Sequence, residues 1–319
     1  MALAFVFPGQ GSQAPGMGRD LAAAFPAARE VFQEVDDALK QKLSALMFEG
    51  PAEELTLTAN AQPALMAHSV AVLRVLETEG KLDLGTKVAL VAGHSLGEYS
   101  ALTAARAFSL ATCARLLRLR GEAMQKATPP GTGAMAALLG ADLDQANAIC
   151  AAAKANPETG KDECVEIAND NGGGQVVISG AKAAVERAVA AAAGHGVKRA
   201  MLLPVSAPFH CALMAPAADA MAEALDGAEV LAPVVPVVAN VTAAKATSPD
   251  EIRRLLVQQV TATVRWRECI AAMAGMGIDR FVELGAGKVL TGLMKRNAPE
   301  AQASAIGTPA DVEAFLKTL

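Results

Sequence analysis

Residues 93–97 read Gly-His-Ser-Leu-Gly, a G-x-S-x-G that follows the apolar run "VALVA" and precedes a helical pattern. Strand, tight turn and helix in that order are what a nucleophile elbow requires. The two glycines permit a strained turn that lifts the serine hydroxyl clear of the backbone. The helix behind it brings N–H groups and a positive dipole end to any oxyanion formed there. The chemistry this points to is acyl transfer through an ester on Ser95.

A serine nucleophile needs a base, and the chain holds four histidines, at 68, 94, 195 and 210. His68 falls in an amphipathic helical pattern and reads as a helix-surface residue. His195, in "GHGVKR", sits at a helix end and reads as a cap. His94 adjoins the serine, and strand alternation would point it the other way. His210, in "PVSAPFHCALM", follows a proline-rich turn and is preferred by elimination. No carboxylate adjoins it, and Asp219 lies further on in a helical pattern. A Ser–His pair whose imidazole is held by a backbone or amide oxygen therefore fits better than a full triad.

Arg120, in "LLRLRGEAMQ", has the planar fork that pairs with a carboxylate through two parallel hydrogen bonds. Its spacing suits a solvated helix arginine, like Arg115 and Arg118, at least as well. Two glycine-rich stretches imitate nucleotide loops. "GAGKVLTG" has Val282 where a phosphate loop needs its first glycine, and Val289 where it needs Ser or Thr. Gly9, Gly11 and Ala14 fit the dinucleotide spacing, but the acid about 20 residues on (Glu34 or Asp36) lies inside a helical run rather than at a strand end.

The elements that must position these groups alternate short β-like runs with Ala/Leu-rich helical patterns, which predicts α/β with a parallel sheet. Strands are expected at 3–7 and 87–93, with helical patterns over 20–43 and up to Gly80. "TPPGTG" (128–133) marks a boundary. Beyond it, 134–140, 142–154, 164–169, 175–180, 181–194 and 198–204 read as β-α-β-β-α-β, the ferredoxin-like order. Residues 129–205 are thus expected to form a small insert in a large domain built from 1–128 and 206–319, with a ligand cleft between the two.

Of the 319 residues, 52% are hydrophobic but only 3% aromatic, so the core must be built from Ala, Leu, Val and Met. A net charge of −5 argues against a general nucleic-acid binder. No uncharged apolar stretch reaches the roughly 18–20 residues a membrane span needs, and "MALAFVF" lacks the basic flank of a signal peptide. Five scattered cysteines without a C-x-x-C suit reduced thiols in a cytosol and offer no metal site.

In sequence order, "FVFPGQGSQ", "GHSLGEYSAL", "RGEAMQ", "NDN…QVVISG", "VSAPFH", "VRW" and "VELGAGKVLTGL" closely resemble the malonyl-CoA:acyl carrier protein transacylases of bacterial fatty-acid synthesis. The resemblance spans nearly the whole chain. It implies an α/β-hydrolase-like large domain with a ferredoxin-like insert, and ping-pong transfer of malonyl from CoA to the phosphopantetheine thiol of acyl carrier protein. Carried over by position, it makes Ser95 the nucleophile, His210 its base and Arg120 the clamp on the malonyl carboxylate, reversing the reading from spacing. It gives the oxyanion hole to the amides of Gln10 and Leu96, the orienting of His210 to the main-chain oxygen of Gln259, and a place near the substrate to Asn169 and Phe209. It implies no metal or redox cofactor, CoA being substrate and product, and monomer is the expected state. Ala286 and Gly173 stand where the family often carries proline. A malonyl transferase of polyketide synthesis or malonate decarboxylation shares these motifs. A serine esterase would share the elbow but add a late Asp/Glu–His pair that this chain lacks.

Overall fold

Residues 2–318 are described by the computed structural model. The first strand, β1 (Ala2–Phe7), is apolar along its whole length and almost completely buried, as a strand covered on both faces must be. Nine more follow: β2 (Leu90–Gly93), β3 (Gly133–Leu139), β4 (Val165–Asp170), β5 (Gln175–Ala181), β6 (Arg199–Leu202), β7 (Val237–Val238), β8 (Lys245–Ala246), β9 (Ile278–Leu284) and β10 (Gln302–Ile306). They form two sheets. One runs β10-β9-β1-β2-β7-β8, with every neighbour parallel except the short β7–β8 pair.

The second sheet runs β4-β5-β3-β6 and is antiparallel throughout. Helices Leu143–Lys154 and Lys182–Ala191 pack with it around a separate core that includes Leu138, Ile149, Val165, Ile178 and Val185. The element order across 133–202 is β-α-β-β-α-β.

Register in the parallel sheet positions the site. Phe7 lies opposite Gly93, so β1 and β2 end side by side and the loops that leave them meet. Gly97 fits this junction only because it lacks a side chain: a Cβ there would lie 2.2 Å from the Phe7 carbonyl oxygen. Ligands of parallel α/β sheets collect at this carboxyl edge.

Three local expectations need correction. The helical run over 20–43 is broken into Arg19–Ala24 and Pro26–Leu39, because Phe25 precedes a proline and takes an extended conformation (φ −125°, ψ 120°). The strand expected over 87–93 starts only at Leu90, since Asp83 accepts from the Gly85 N–H and caps a short helix, Leu84–Lys87. His68 is not on a helix surface. It is buried in the long helix Thr58–Glu79, its Nε2 hydrogen-bonds the Gly307 carbonyl, and burial lowers its pKa to about 4. The helix presents apolar residues around most of its circumference, so periodicity marks no solvent side. Gly173 has φ 58°, a conformation closed to proline.

No helix among the described residues is long and apolar enough to cross a membrane.

Candidate active site

The turn after β2 places Ser95 at φ 54° and ψ −113°, outside the regions a non-glycine residue ordinarily occupies. Asn240 sustains that conformation: its Oδ1 accepts from the Ser95 N–H (2.8 Å) and its Nδ2 donates to the Gly93 carbonyl (2.7 Å). A Cβ on Gly93 would overlap the Gly97 carbonyl at 1.8 Å, so the turn cannot close around any larger residue. The helix Leu96–Ala104 then begins directly behind the serine.

His210 is brought to Ser95 from the far side of the cleft. It too has a positive φ, 59°, and is buried. Its Nε2 lies 2.8 Å from Ser95 Oγ, and its Nδ1 lies 2.9 Å from the Gln259 carbonyl oxygen. A carbonyl can only accept, so Nδ1 carries the proton and Nε2 offers its lone pair to the hydroxyl. Burial, then the positive charge of Arg120, lowers the His210 pKa to about 3 and keeps the ring neutral.

Arg120 lies on the helix Leu110–Lys126 and is 1% exposed. Its Nη1 donates to Gln62 Oε1 (2.8 Å), and its Nη2 to Gln259 Oε1 (2.9 Å) and Ser95 Oγ (3.2 Å). The guanidinium also stands over the Tyr99 ring, 5.6 Å from its centre. All three acceptors are neutral. A buried cation so held has the capacity to take an anion directly.

These groups face one cavity of about 420 Å³, whose walls include Gln10, Gln62, Ser95, Leu96, Arg120, Asn169, Phe209 and His210. The Gln10 side chain donates to Thr58 Oγ1 (3.3 Å). Among the described residues, neither the Gln10 nor the Leu96 backbone N–H donates to a protein acceptor. Asn169 and Phe209 are buried in the wall. Asp219 is absent from it.

His94, expected to face away, lines the same cavity. It is engaged elsewhere: its Nε2 lies 2.8 Å from Asn171 Oδ1, and its ring packs edge-on against Trp266 with centres 5.6 Å apart.

Sequence reasoning missed Gln62, Asn240 and Glu98. Gln62 and Asn240 are uncharged amides in apolar surroundings, and nothing in their local sequence distinguishes them from other amides. Glu98 carried one signal, a carboxylate inside an otherwise apolar first helical turn next to the elbow.

Residues 4–315 match the family of acyl transferase domains. The chain belongs to that family. The acyl transferase domain is 49% identical over 314 residues to the malonyl CoA-acyl carrier protein transacylase of Escherichia coli K12, covering 98% of each chain. It is 44% identical over 317 residues to the Bacillus subtilis protein of the same name, covering 99% of this chain and 97% of that one. Among solved structures it resembles an acyl-carrier-protein-S-malonyltransferase from Bartonella henselae, with 56% identity and a TM-score of 0.95, over 100% of this chain and 99% of that one. It also resembles a malonyl-transacylase solved in complex with its type II PKS acyl-carrier protein, with 44% identity and a TM-score of 0.94 over the whole of both chains.

Proposed function

We propose that this acyl transferase moves a malonyl group from malonyl-CoA to the phosphopantetheine thiol of an acyl carrier protein, by way of a malonyl ester on Ser95. One observation carries the reading. A buried, neutrally held Arg120 sits within hydrogen-bond reach of a serine that is itself 2.8 Å from a neutral imidazole. The cavity thereby joins a nucleophile to a receptor for an acyl chain ending in a carboxylate. The names of the relatives and the carrier-protein complex point the same way.

Ser95 Oγ gives its proton to His210 Nε2 as it attacks the thioester carbon. The amides of Gln10 and Leu96 receive the charge on the carbonyl oxygen. The C–S bond then breaks, and the departing CoA sulfur takes the proton from His210. The carrier thiol enters by the reverse sequence, returning a proton to Ser95. The Gln259 carbonyl holds the imidazole in the required tautomer and supports the imidazolium, the part an acid plays in a triad. Asn169 and Phe209 shape the acyl pocket. The scheme assigns no metal or redox cofactor, because side chains and backbone amides of the cavity carry each proton and charge.

In this reading residues 129–205 are a ferredoxin-like insert carrying one wall of the cleft, and 1–128 with 206–319 form the α/β-hydrolase-like catalytic domain. The antiparallel sheet with its own core supports that division.

Intact-mass spectrometry after mixing with malonyl-CoA tests the function. The expected result is a single malonyl adduct that maps to Ser95. An adduct on another residue, or none, overturns it.

A further inference from the structure

One carboxylate oxygen underlies both halves of this site. Glu98 lies in the first turn of the helix behind Ser95 and is 3% exposed. Its Oε2 accepts from the Asn240 backbone N–H (3.0 Å) and from Gln259 Nε2 (2.8 Å). Asn240 is the residue whose side chain holds the Ser95 and Gly93 backbone in the elbow. Gln259 is the residue whose Oε1 holds Arg120 and whose main-chain oxygen meets His210.

The direction of these bonds matters. A side-chain amide has a donor end and an acceptor end. Gln259 Nε2 donates to Glu98 Oε2 at 2.8 Å and, at a longer 3.1 Å, to the Ser95 carbonyl, which leaves the acceptor end facing the Arg120 guanidinium. Reversed, the amide would set an N–H against the cation, lose a bond and repel it. The Glu98 side chain bonds neither the Ser95 hydroxyl nor the Arg120 guanidinium, its backbone N–H alone meeting the Ser95 carbonyl (3.0 Å), yet it braces the two amides that hold both groups.

We propose that Glu98 is a positioning residue that locks Asn240 under the nucleophile and turns the Gln259 amide toward Arg120, and so sets the preference for acyl groups that end in a carboxylate. The proposal rests on the malonyl reading above. Both bonds land on the same oxygen, so the arrangement requires an acceptor at that point rather than a full charge. Burial raises the Glu98 pKa to about 7, and protonation at Oε1 leaves both bonds in place.

E98Q keeps a carbonyl oxygen there, whereas E98M fills the volume with an adaptable apolar chain and removes the acceptor. The measurement is kcat and KM for malonyl-CoA and acetyl-CoA, with melting temperature recorded for each variant. E98Q is expected to hold the wild-type malonyl-to-acetyl ratio of kcat/KM within about threefold, as the loss of charge alone leaves both bonds. E98M is expected to lower kcat about tenfold for both acyl groups through the elbow, and to raise KM about tenfold further for malonyl alone through Arg120, the size expected for one hydrogen bond each. A merely structural carboxylate would lower the melting temperature of E98M and leave the ratio unmoved, which overturns the proposal. So does an E98Q enzyme that loses the ratio, and that arm decides alone if E98M does not fold. An E98M enzyme that still forms the Ser95 adduct and keeps its ratio leaves the malonyl reading standing; a wild-type enzyme with no adduct removes both.

Discussion

The turn after β2 and the turn after β9 begin alike. Each leaves a parallel strand of the same sheet through glycines and enters a helix, at Leu96 in one case and Val289 in the other. Behind β9, the buried Glu283 carboxylate accepts from the Leu290 N–H (3.2 Å), the Thr291 N–H (2.8 Å) and Thr291 Oγ1 (2.8 Å). The helix start is thus filled by an anion from the chain itself. Behind β2 the nearest carboxylate, Glu98, is turned inward to Asn240 and Gln259, and the Leu96 N–H stays available to the cavity. A glycine turn before a helix offers an anion site in either place. Under the proposed function it becomes a reactive one where the fold withholds an internal anion and brings a serine and a histidine together instead.

Breaking the reactive turn has the largest expected effect. In the proposed mechanism Ser95 alone carries the acyl chain, so Ser95→Ala should lower single-turnover malonyl transfer by a factor on the order of 10⁶; near-normal transfer by this variant would mean that the turn is structural. Removing the receptor rather than the nucleophile gives a smaller and selective loss. Loss of one partner of a buried charge pair costs about 2–5 kcal/mol, so Arg120→Ala should cut malonyl kcat/KM by roughly 30-fold to several thousandfold while acetyl transfer falls far less. An equal fall for both substrates removes the clamp.

The inert turn should respond in stability instead of rate. Glu283→Ala strands one buried helix amide, Leu290, and one half-buried, Thr291, at about 1–3 kcal/mol, seen as a drop of several degrees in melting temperature, with kcat for malonyl transfer within about twofold. A hundredfold loss of rate would show that the two turns are coupled.

The smallest effect concerns pH. With its pKa lowered to about 3, His210 is neutral throughout the usual assay range, so the acylation rate should show no inflection near 6.5. An inflection there would mean a solvated base. Stability has the opposite sensitivity. His68, His94 and His210 all have lowered values, so below 6.5 the unfolded chain takes up protons that the fold refuses. Glu98 works the other way between its ordinary value and about 7. Burial raises Glu77 and Glu283 as well, so three carboxylates oppose the three histidines, and the histidine share is read from one of them: His68→Gln should lose less stability than the wild type between pH 7 and 5.5 in urea titrations.

Much of this was legible in the residues, and unevenly so. The elbow was readable because a serine between glycines, after an apolar run and before a helix, is a local pattern with a local cause. The parallel sheet was readable because β1 and β2 lack polar alternation. His210 emerged only by elimination, since its partner Gln259 lies in another helix and contributes a main-chain oxygen that any residue would carry. Arg120 was indistinguishable by spacing from Arg115 and Arg118. All three share a helix, yet only the face carrying Arg120 turns into the cavity. His68 and His94 were misread because strand alternation and helical periodicity say which side a residue lies on, but not what covers that side.

By itself the sequence determined what depends on near neighbours: strand and helix order, the glycines without which the elbow cannot close, and the elbow's serine. The tertiary structure decided which amides face the cavity unpaired, which arginine is buried beside Ser95 and which carboxylate joins Asn240 to Gln259. Those roles come from burial and from hydrogen-bond partners far along the chain: 115 residues from Ser95 to His210, 139 from Arg120 to Gln259, 161 from Glu98 to Gln259. A polar side chain in water has no fixed partner. Only when the fold removes the water does the nearest acceptor determine what the group can do.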